Sequence, residues 1–275
     1  MRFQGLRQIA LLFIIGFGQS VPAKPITIAV IGASTAAGKN LVEDGAGIAD
    51  SWVNRYAAHL DSLQPGSRIV NLAVAGYNTY HGVPTGSTVP SGRPAPDPAK
   101  NITAALAANP DAIIANYVGD GGFGTTEAMA NLKAMHAAAS GAGIPFWVTT
   151  TQPSIAGQTA AVLAQKFSQR DSVLSKYGSH AIDFWTPLAD PGGSGLGARN
   201  LIQLYDDTHP NAAGHRLLFN QVVAAGVGVN SPTVLSKRWN ISPVPAPGVL
   251  LGGFLTAQGL IFMMNGRYHG IYPTK

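Results

Sequence analysis

The stretch of sequence that decides the fold is residues 26–38, which read ITIAVIGASTAAG. Its first part, ITIAVIG, is a largely β-branched apolar run of strand length that ends at Gly32. A near-continuous apolar run of this length predicts a strand buried on both faces, as in a parallel sheet. The small residues that follow predict a loop at the carboxyl end of this strand.

The same alternation of apolar runs and helical segments continues along the chain. Within one helical segment, Trp52, Tyr56 and Leu60 recur at a spacing of four residues, which is typical of one buried helix face. Strands that alternate with helices predict right-handed crossovers and a parallel sheet covered on both faces, with ligands bound at the carboxyl ends of the strands. The predicted strands are residues 26–32, 68–74, 111–117, 144–150 and 181–185, and the predicted helices are residues 48–63, 102–108, 126–139, 158–177 and 211–224.

The composition excludes several classes of protein. Of the 275 residues, 46% are hydrophobic and only 11% are charged, which is too apolar for a disordered chain. The absence of cysteine excludes a disulfide scaffold, a thiol nucleophile and a cysteine-ligated metal site. The net charge of +5 includes Arg2 and Arg7 near the N-terminus, and the remaining cations form no basic stripe. We therefore expect no nucleic-acid partner.

The two ends of the chain differ from the middle. Residues 1–23 place Arg2 and Arg7 before a short apolar run and small residues, which predicts a signal peptide and export to the periplasm, cell surface or medium. Residues 24–228 form one predicted α/β domain. Residues 229–275 contain a proline-rich break and an apolar stretch interrupted by glycines. This tail could be an anchor, a packed hairpin or part of a further module, and we expect no stable membrane span.

Two motifs compete in the loop after the first predicted strand. A phosphate-binding loop requires G-x-x-x-x-G-K followed by Ser or Thr. Counting back from Gly38 and Lys39 places Ala33 where the first glycine belongs, and Asn40 replaces the hydroxyl residue. Because both ends of that motif fail, nucleotide binding is disfavoured. The alternative is that Ser34 is a nucleophile at the strand end.

A serine hydroxyl needs a positioned base, most often a histidine that a carboxylate orients. Of the seven histidines, His209 lies in a polar turn before the last predicted helix, three residues after Asp206. Such a turn could direct Asp206 to one imidazole nitrogen and leave the other for Ser34. An isolated D-x-x-H is also typical of a helix cap beside a surface histidine. The interpretation of Asp206 and His209 as a catalytic pair therefore depends on the presence of Ser34 at the end of the first strand.

These residues resemble the conserved blocks of the SGNH, or GDSL-like, family of serine hydrolases over about 200 residues. The nucleophile block corresponds to residues 32–38, and the second block corresponds to residues 71–79, in which Gly76 matches the oxyanion-hole glycine. The last block is D-x-x-H at residues 206–209.

The resemblance implies a three-layer α/β/α sandwich with a flavodoxin-like, five-stranded parallel sheet. It also implies ester hydrolysis that needs neither a metal nor another cofactor. Ser34 would be the nucleophile, His209 the base and Asp206 its orienting acid. The backbone N–H groups of Ser34 and Gly76 would stabilise the oxyanion.

The chain departs from this family in its third block. At residues 116–122, Asp120 occupies the position of an asparagine that donates to the oxyanion. An ionised aspartate can only accept a hydrogen bond, and the loss of one oxyanion donor typically costs about 10²–10³ in rate. We expect that Asp120 is protonated or that Asn78 or Asn116 supplies the missing N–H. The alternative is a weakened relative that binds glycans or surface polymers.

Substrate contacts are predicted on the loops near Gly76. Tyr77, Asn78 and Phe123 are the predicted substrate-binding residues, and Tyr80 and His81 could extend an aromatic wall for a sugar ring or an acyl chain. The long Pro/Gly-rich loop at residues 79–98 is either a functional overhang or a plain connector. Export and open, polar loops favour acetylated carbohydrate over long-chain lipid, so we expect a small-molecule or carbohydrate ester as the substrate. We also expect a monomer.

Overall fold

The computed structural model of the protein describes residues 24–119, 122–155, 159–203 and 206–229. All of these residues belong to one structural unit. The predicted signal peptide, and the predicted tail beyond residue 229, lie outside the described residues.

The centre of the domain is a five-stranded parallel sheet with the strand order β2-β1-β3-β4-β5. This order and the flanking helices confirm the predicted three-layer α/β/α class. The order also brings the carboxyl ends of β1 and β3 side by side, because Gly32 pairs with Asn116. The strands are β1 (Thr27–Gly32), β2 (Arg68–Asn71), β3 (Ala112–Asn116), β4 (Phe146–Thr149) and β5 (Ala181–Ile182).

Helices connect the strands, and most agree with the predicted segments to within a few residues. Three short 3₁₀ turns, Ile48–Asp50, Gly178–His180 and Thr186–Leu188, lie among them. Among the described residues, no helix is long and apolar enough to cross a membrane. The helices are α1 (Ser34–Ala37), α2 (Trp52–Leu63), α3 (Thr79–Gly82), α4 (Ile102–Ala107), α5 (Thr125–Gly141), α6 (Ala160–Tyr177) and α7 (Ala212–Ala224).

The sheet separates two apolar cores, one on each face. Successive side chains of a strand point to opposite faces, so Ile28 and Val30 of β1 enter one core while Ala29 and Ile31 enter the other. The first core is completed by α2 and α7, and the second by α4, α5 and α6. This double burial explains why the strands read as continuous apolar runs.

Four boundaries differ from the prediction by three residues or more. The strand predicted at residues 68–74 ends at Asn71, whose side-chain oxygen accepts the Ala73 N–H and turns the chain. The helix predicted at residues 48–63 is interrupted at Ser51, whose extended backbone and hydroxyl cap the start of α2 through the Asn54 N–H. The last strand stops at Ile182 because the Asp183 carboxylate accepts the N–H groups of Trp185 and Thr186 and turns the chain. The loop predicted at residues 79–98 begins with α3.

Candidate active site

Ser34 lies where the first strand ends, as the first residue of the one-turn helix α1. The strand passes so close to β3 that a Cβ at Gly32 would lie 2.3 Å from the Asn116 carbonyl oxygen. The Ala33 N–H donates to that same oxygen at 2.9 Å. Only glycine fits this junction, and the junction directs Ser34 beyond the carboxyl edge of the sheet.

Asp206 and His209 meet in a tight turn before α7. The His209 Nδ1 lies 2.6 Å from Asp206 Oδ2, and the other carboxylate oxygen accepts the N–H groups of Thr208 and His209, each at 2.9 Å. The Gln203 N–H donates to the His209 carbonyl oxygen at 2.8 Å and closes the turn. At its tip Asp207 has a φ of +55°, a left-handed conformation that aspartate tolerates.

The hydrogen bonds determine the ionisation of Asp206. Burial would raise the pKa of this carboxyl, but the N–H groups of His209 and Thr208, the imidazole and the Asn40 amide outweigh burial and hold the pKa below its usual value. An ionised carboxylate can only accept a hydrogen bond, so the nitrogen that faces Asp206 must carry a proton. The proton of a neutral His209 is therefore assigned to Nδ1. The other imidazole nitrogen, Nε2, is then free to act as a base.

Side chains tie the loop of Ser34 to the turn of His209. The Thr35 hydroxyl donates to Gln152 Oε1 at 2.9 Å, and the amide of the same Gln152 donates to the Thr208 carbonyl oxygen at 3.1 Å. The Asn40 amide donates to Asp206 Oδ2 at 2.6 Å. These bonds place the two loops side by side at the carboxyl edge of the sheet.

A direct hydrogen bond between Ser34 and His209 is not present. Within the described parts of the chain, the Ser34 hydroxyl has no hydrogen-bond partner. The structure therefore brings the loops of the predicted nucleophile and base together, while the contact between their reacting atoms stays a prediction.

The predicted oxyanion donors differ in whether their N–H groups are already hydrogen-bonded. The N–H groups of Ser34 and Gly76 donate to no acceptor among the described residues, and Gly76 has a φ of +86° in the turn after β2. Asn116 is fully buried, and its amide donates to the Thr149 hydroxyl at 2.7 Å. Asn116 is therefore disfavoured as a substitute donor, because its side chain is buried and one of its two amide hydrogens is bound inside the sheet.

Asn78 keeps its amide N–H available. Its side-chain oxygen accepts the Tyr80 N–H at 3.1 Å and caps α3, whereas its amide nitrogen meets no acceptor in the described ranges. Asn78 lies two residues after Gly76 and is buried. Asp120 lies outside the described residues, so its predicted role stays a prediction.

The predicted aromatic wall forms as two separate pairs. Tyr77 stacks on His81 with ring centroids 4.1 Å apart, and Tyr80 meets Phe123 edge-on at 5.6 Å. Arg93 lies over the Phe123 ring at 4.4 Å from its centroid. These side chains lie on the segments that follow β2 and β3, and their contact with a substrate stays a prediction.

Contacts in its second half tie the long loop at residues 83–98 to the domain. Arg93 forms two hydrogen bonds to Glu127 of α5, each 2.7 Å long. Near the end of the loop, Asp97 accepts the Tyr77 hydroxyl and donates its own N–H to the His81 carbonyl oxygen. The loop therefore follows one path over α3 and α5, which favours a functional overhang above a plain connector.

The sequence did not identify two residues of the site. Gln152 follows the carboxyl end of β4 in the run T-T-T-Q, and polar residues at that edge were a usable signal. Asn40 carried no signal, since its partner Asp206 lies 166 residues away. Within the described ranges, no three His, Asp or Glu side chains come close enough to hold a metal ion.

A second histidine near the site is structural. His215 on α7 is fully buried, and its Nδ1 accepts the Trp52 N–H at 3.2 Å, which joins α7 to α2. Burial, and secondarily the positive charges of His209 and Arg55, lower the pKa of His215 to about 3. It is therefore neutral at physiological pH. Because Nδ1 already accepts the Trp52 N–H inside the core, Nε2 carries the proton and His215 has no nitrogen to offer Ser34 as a base.

No family model matches this chain, and no curated protein matches its sequence. Solved structures do share its fold. A protein assigned to the lipolytic G-D-S-L family from Desulfitobacterium hafniense superposes with a TM-score of 0.52 at 18% identity, over 73% of this chain and 99% of that one. A variant of an acetyl-xylooligosaccharide esterase from Geobacillus has a TM-score of 0.53 at 14% identity, over 74% and 96% of the two chains.

A third similar structure is LAE5, an α/β hydrolase from the metagenome of Lake Arreo in Spain. It has a TM-score of 0.51 at 19% identity, over 76% of this chain and 98% of that one. The described domain therefore has the fold of GDSL-type hydrolases, which is the fold that the resemblance implied.

Proposed function

We propose that this protein is a serine hydrolase that cleaves carboxylic esters. The observation that carries the proposal is the His209–Asp206 pair, 2.6 Å apart, held beside the loop of Ser34 at the carboxyl edge of the sheet. A carboxylate-oriented histidine next to a serine is the arrangement that activates a hydroxyl nucleophile. The GDSL-type fold adds support, since this edge is where ligands bind in parallel sheets.

In this mechanism the Ser34 oxygen attacks the ester carbonyl carbon while His209 Nε2 takes the hydroxyl proton. Asp206 keeps the imidazole in the required tautomer and stabilises its charged form. The N–H groups of Ser34 and Gly76 stabilise the oxyanion, and His209 then returns the proton to the departing alcohol. Water hydrolyses the acyl-enzyme with the same base and regenerates the Ser34 hydroxyl.

The proposed substrates are acetyl esters of carbohydrates. The half-buried rings of Tyr77, His81 and Phe123 offer surfaces suited to a sugar, and the buried Tyr80 packs edge-on against Phe123. An acetyl-xylooligosaccharide esterase shares the fold. Export by the predicted signal peptide at residues 1–23 would bring the enzyme to such polymers outside the cytoplasm.

The test combines turnover with covalent labelling. We expect the wild-type protein to hydrolyse p-nitrophenyl acetate and to take up one organophosphonate group on Ser34, detected by peptide mass mapping. Ser34→Ala should lose both signals, whereas the exposed Ser175→Ala on α6 should keep both. A wild-type protein that binds acetylated xylan but neither turns over the ester nor takes the label would support the weakened glycan-binding alternative.

The substrate class has its own test. A series of p-nitrophenyl esters from two to twelve carbons should show kcat/KM falling as the acyl chain lengthens. A preference for long chains would overturn the carbohydrate proposal while leaving the serine mechanism intact.

Asp120→Asn should raise kcat if Asp120 occupies the donor position, because the new amide would donate an N–H to the oxyanion.

A further inference from the structure

Asp206 receives a hydrogen bond from the loop that carries the proposed nucleophile. The Asn40 amide donates to Asp206 Oδ2 at 2.6 Å, and this is the same oxygen that lies 2.6 Å from His209 Nδ1. The other carboxylate oxygen is used by the N–H groups of Thr208 and His209. Asn40 is thus the donor that reaches this carboxylate from the nucleophile side.

The backbone of Asn40 is held in a conformation that few residues adopt. Its φ is +65°, a left-handed conformation in which asparagine is several-fold enriched among non-glycine residues. The Asn40 carbonyl oxygen accepts the Asp44 N–H at 2.9 Å. The side chain therefore extends toward Asp206 from a fixed backbone, three residues beyond the end of α1.

We propose that Asn40 is a positioning residue that holds the Asp206 carboxylate in the orientation in which it binds and orients His209. The inference rests on the proposed serine mechanism and adds to it a residue that the D-x-x-H motif does not contain. It also gives the nucleophile loop a second function, because one loop supplies Ser34 and orients the acid–base pair.

The hydrogen bond has a chemical consequence that simple loop support would lack. An N–H donor draws negative charge away from Asp206 Oδ2, so its removal leaves more charge facing the imidazole. A protonated His209 would then persist to higher pH, and the acid limb of the activity profile would move upward. Loss of loop structure alone would lower the rate without moving that limb.

Other charged groups surround the pair and stay unchanged in the test. Lys39 and Asp207 are chain neighbours of Asn40 and Asp206, and His215 faces His209 from α7. Lys166 of α6 lies 3.5 Å from the carbonyl oxygen of Gln152, the residue that joins the two loops. Each variant is compared with the wild-type protein, so these groups contribute equally to both profiles.

Two variants separate the proposal from a folding defect. Asn40→Gly removes the donor and is compatible with the left-handed backbone, while Asn40→Asp keeps the shape and exchanges the donor for a carboxylate. The matched control is Asn109→Gly, because Asn109 is also left-handed, with a φ of +49°, but is exposed and precedes β3 at the other edge. We would measure kcat/KM for p-nitrophenyl acetate from pH 4.5 to 9, together with the thermal unfolding midpoint.

We expect Asn40→Gly to lower kcat/KM about tenfold, as for the loss of one charge-assisted hydrogen bond. Its acid limb should move upward by about half a pH unit, and Asn40→Asp should move it further, by about one unit or more. Asn109→Gly should match the wild-type profile. Rates that fall with an unmoved acid limb, or Asn40 variants that match Asn109→Gly, would overturn the proposal.

The failure of this inference is distinguishable from the failure of the proposed function. If Ser34→Ala and His209→Ala retain the wild-type rate, the serine mechanism itself is wrong. If those two variants are inactive and fail to take the organophosphonate, while the Asn40 variants behave as the wild type does, only the role of Asn40 is wrong.

Discussion

Histidines lie at both ends of the parallel strands, the carboxyl edge and the amino edge of the sheet, but their surroundings differ. At the carboxyl edge, His209 lies 2.6 Å from the Asp206 carboxylate, which also accepts two backbone N–H groups. At the amino edge, His136 stacks on Phe146 at 5.7 Å, and His180 packs against Trp147 at 4.7 Å. Neither of these imidazoles forms a hydrogen bond within the described parts of the chain.

The amino edge also has a cavity of about 140 Å³ between its two histidines, and none of the described residues that line it is an Asp or Glu. Burial, followed by the positive charges of His180 and Lys176, lowers the pKa of His136. A cavity with histidines is therefore not sufficient for a base. The comparison shows that the oriented carboxylate, rather than the number of imidazoles, distinguishes the candidate active site.

The largest expected effect is the loss of the base at the carboxyl edge. His209→Ala should lower kcat for p-nitrophenyl acetate by about 10⁶, as for the removal of a triad histidine. His136→Ala and His180→Ala at the amino edge should each keep kcat within about twofold, since surface substitutions away from a site rarely matter. A large loss in either control, with the fold intact by circular dichroism, would break the distinction between the edges.

The next effect concerns the two adjacent aspartates. Asp206→Asn should lower kcat by about 10⁴, because an amide no longer holds the imidazole in the required tautomer. Asp207→Asn should cost less than about threefold, since asparagine accepts the left-handed backbone at this position. The reverse order of the two kcat values would reassign the partner of His209.

The third expected effect is on the pH dependence of the free energy of unfolding. Burial lowers the pKa of His215 to about 3 in the folded protein, against an ordinary value of 6.5, so the unfolded chain binds more protons below pH 6.5. The contribution of neutral His215 to stability is therefore complete above pH 6.5 and is lost as the pH falls from there toward 3.

Urea unfolding at pH 7 and pH 4.5 would measure this contribution. Between these pH values the wild-type protein should lose about 2–3 kcal/mol more than His215→Gln, which keeps an acceptor for the Trp52 N–H but does not titrate. His180→Gln, at an exposed position of the amino edge, should follow the wild-type curve closely. Asp206 does not interfere, because its lowered pKa places its own loss of stability at more acid pH.

The smallest effect tests the bridge between the two loops. Gln152→Ala removes the bonds to Thr35 and Thr208, so we expect kcat to fall about tenfold with little change in KM. The matched control is Gln64→Ala, since Gln64 is equally buried but follows α2 at the amino edge. Equal losses of kcat in the two variants would mean that the bridge has no special role in catalysis.

Much of the fold was predictable because the signals are local. The strands are apolar runs that must be buried, and Trp52, Tyr56 and Leu60 mark one face of α2 by their spacing alone. The errors fall where a side chain competes with the backbone, as when Ser51 starts α2 late or Asp183 ends β5 early. Such competition depends on the folded geometry, so the pattern of apolar residues does not reveal it.

The candidate site divides in the same way. The D-x-x-H spacing predicts that Asp206 and His209 lie in one turn, because three residues are enough for a carboxylate to reach back to an imidazole. The sequence by itself thus determined the sheet class, the strand-end loop of Ser34 and this pair. Only the tertiary structure decided that Asn40 and Gln152 join the loops and that the Asn116 amide is used inside the sheet. Their partners lie between 33 and 166 residues away in sequence, and contacts at that distance arise only when the strands pack side by side.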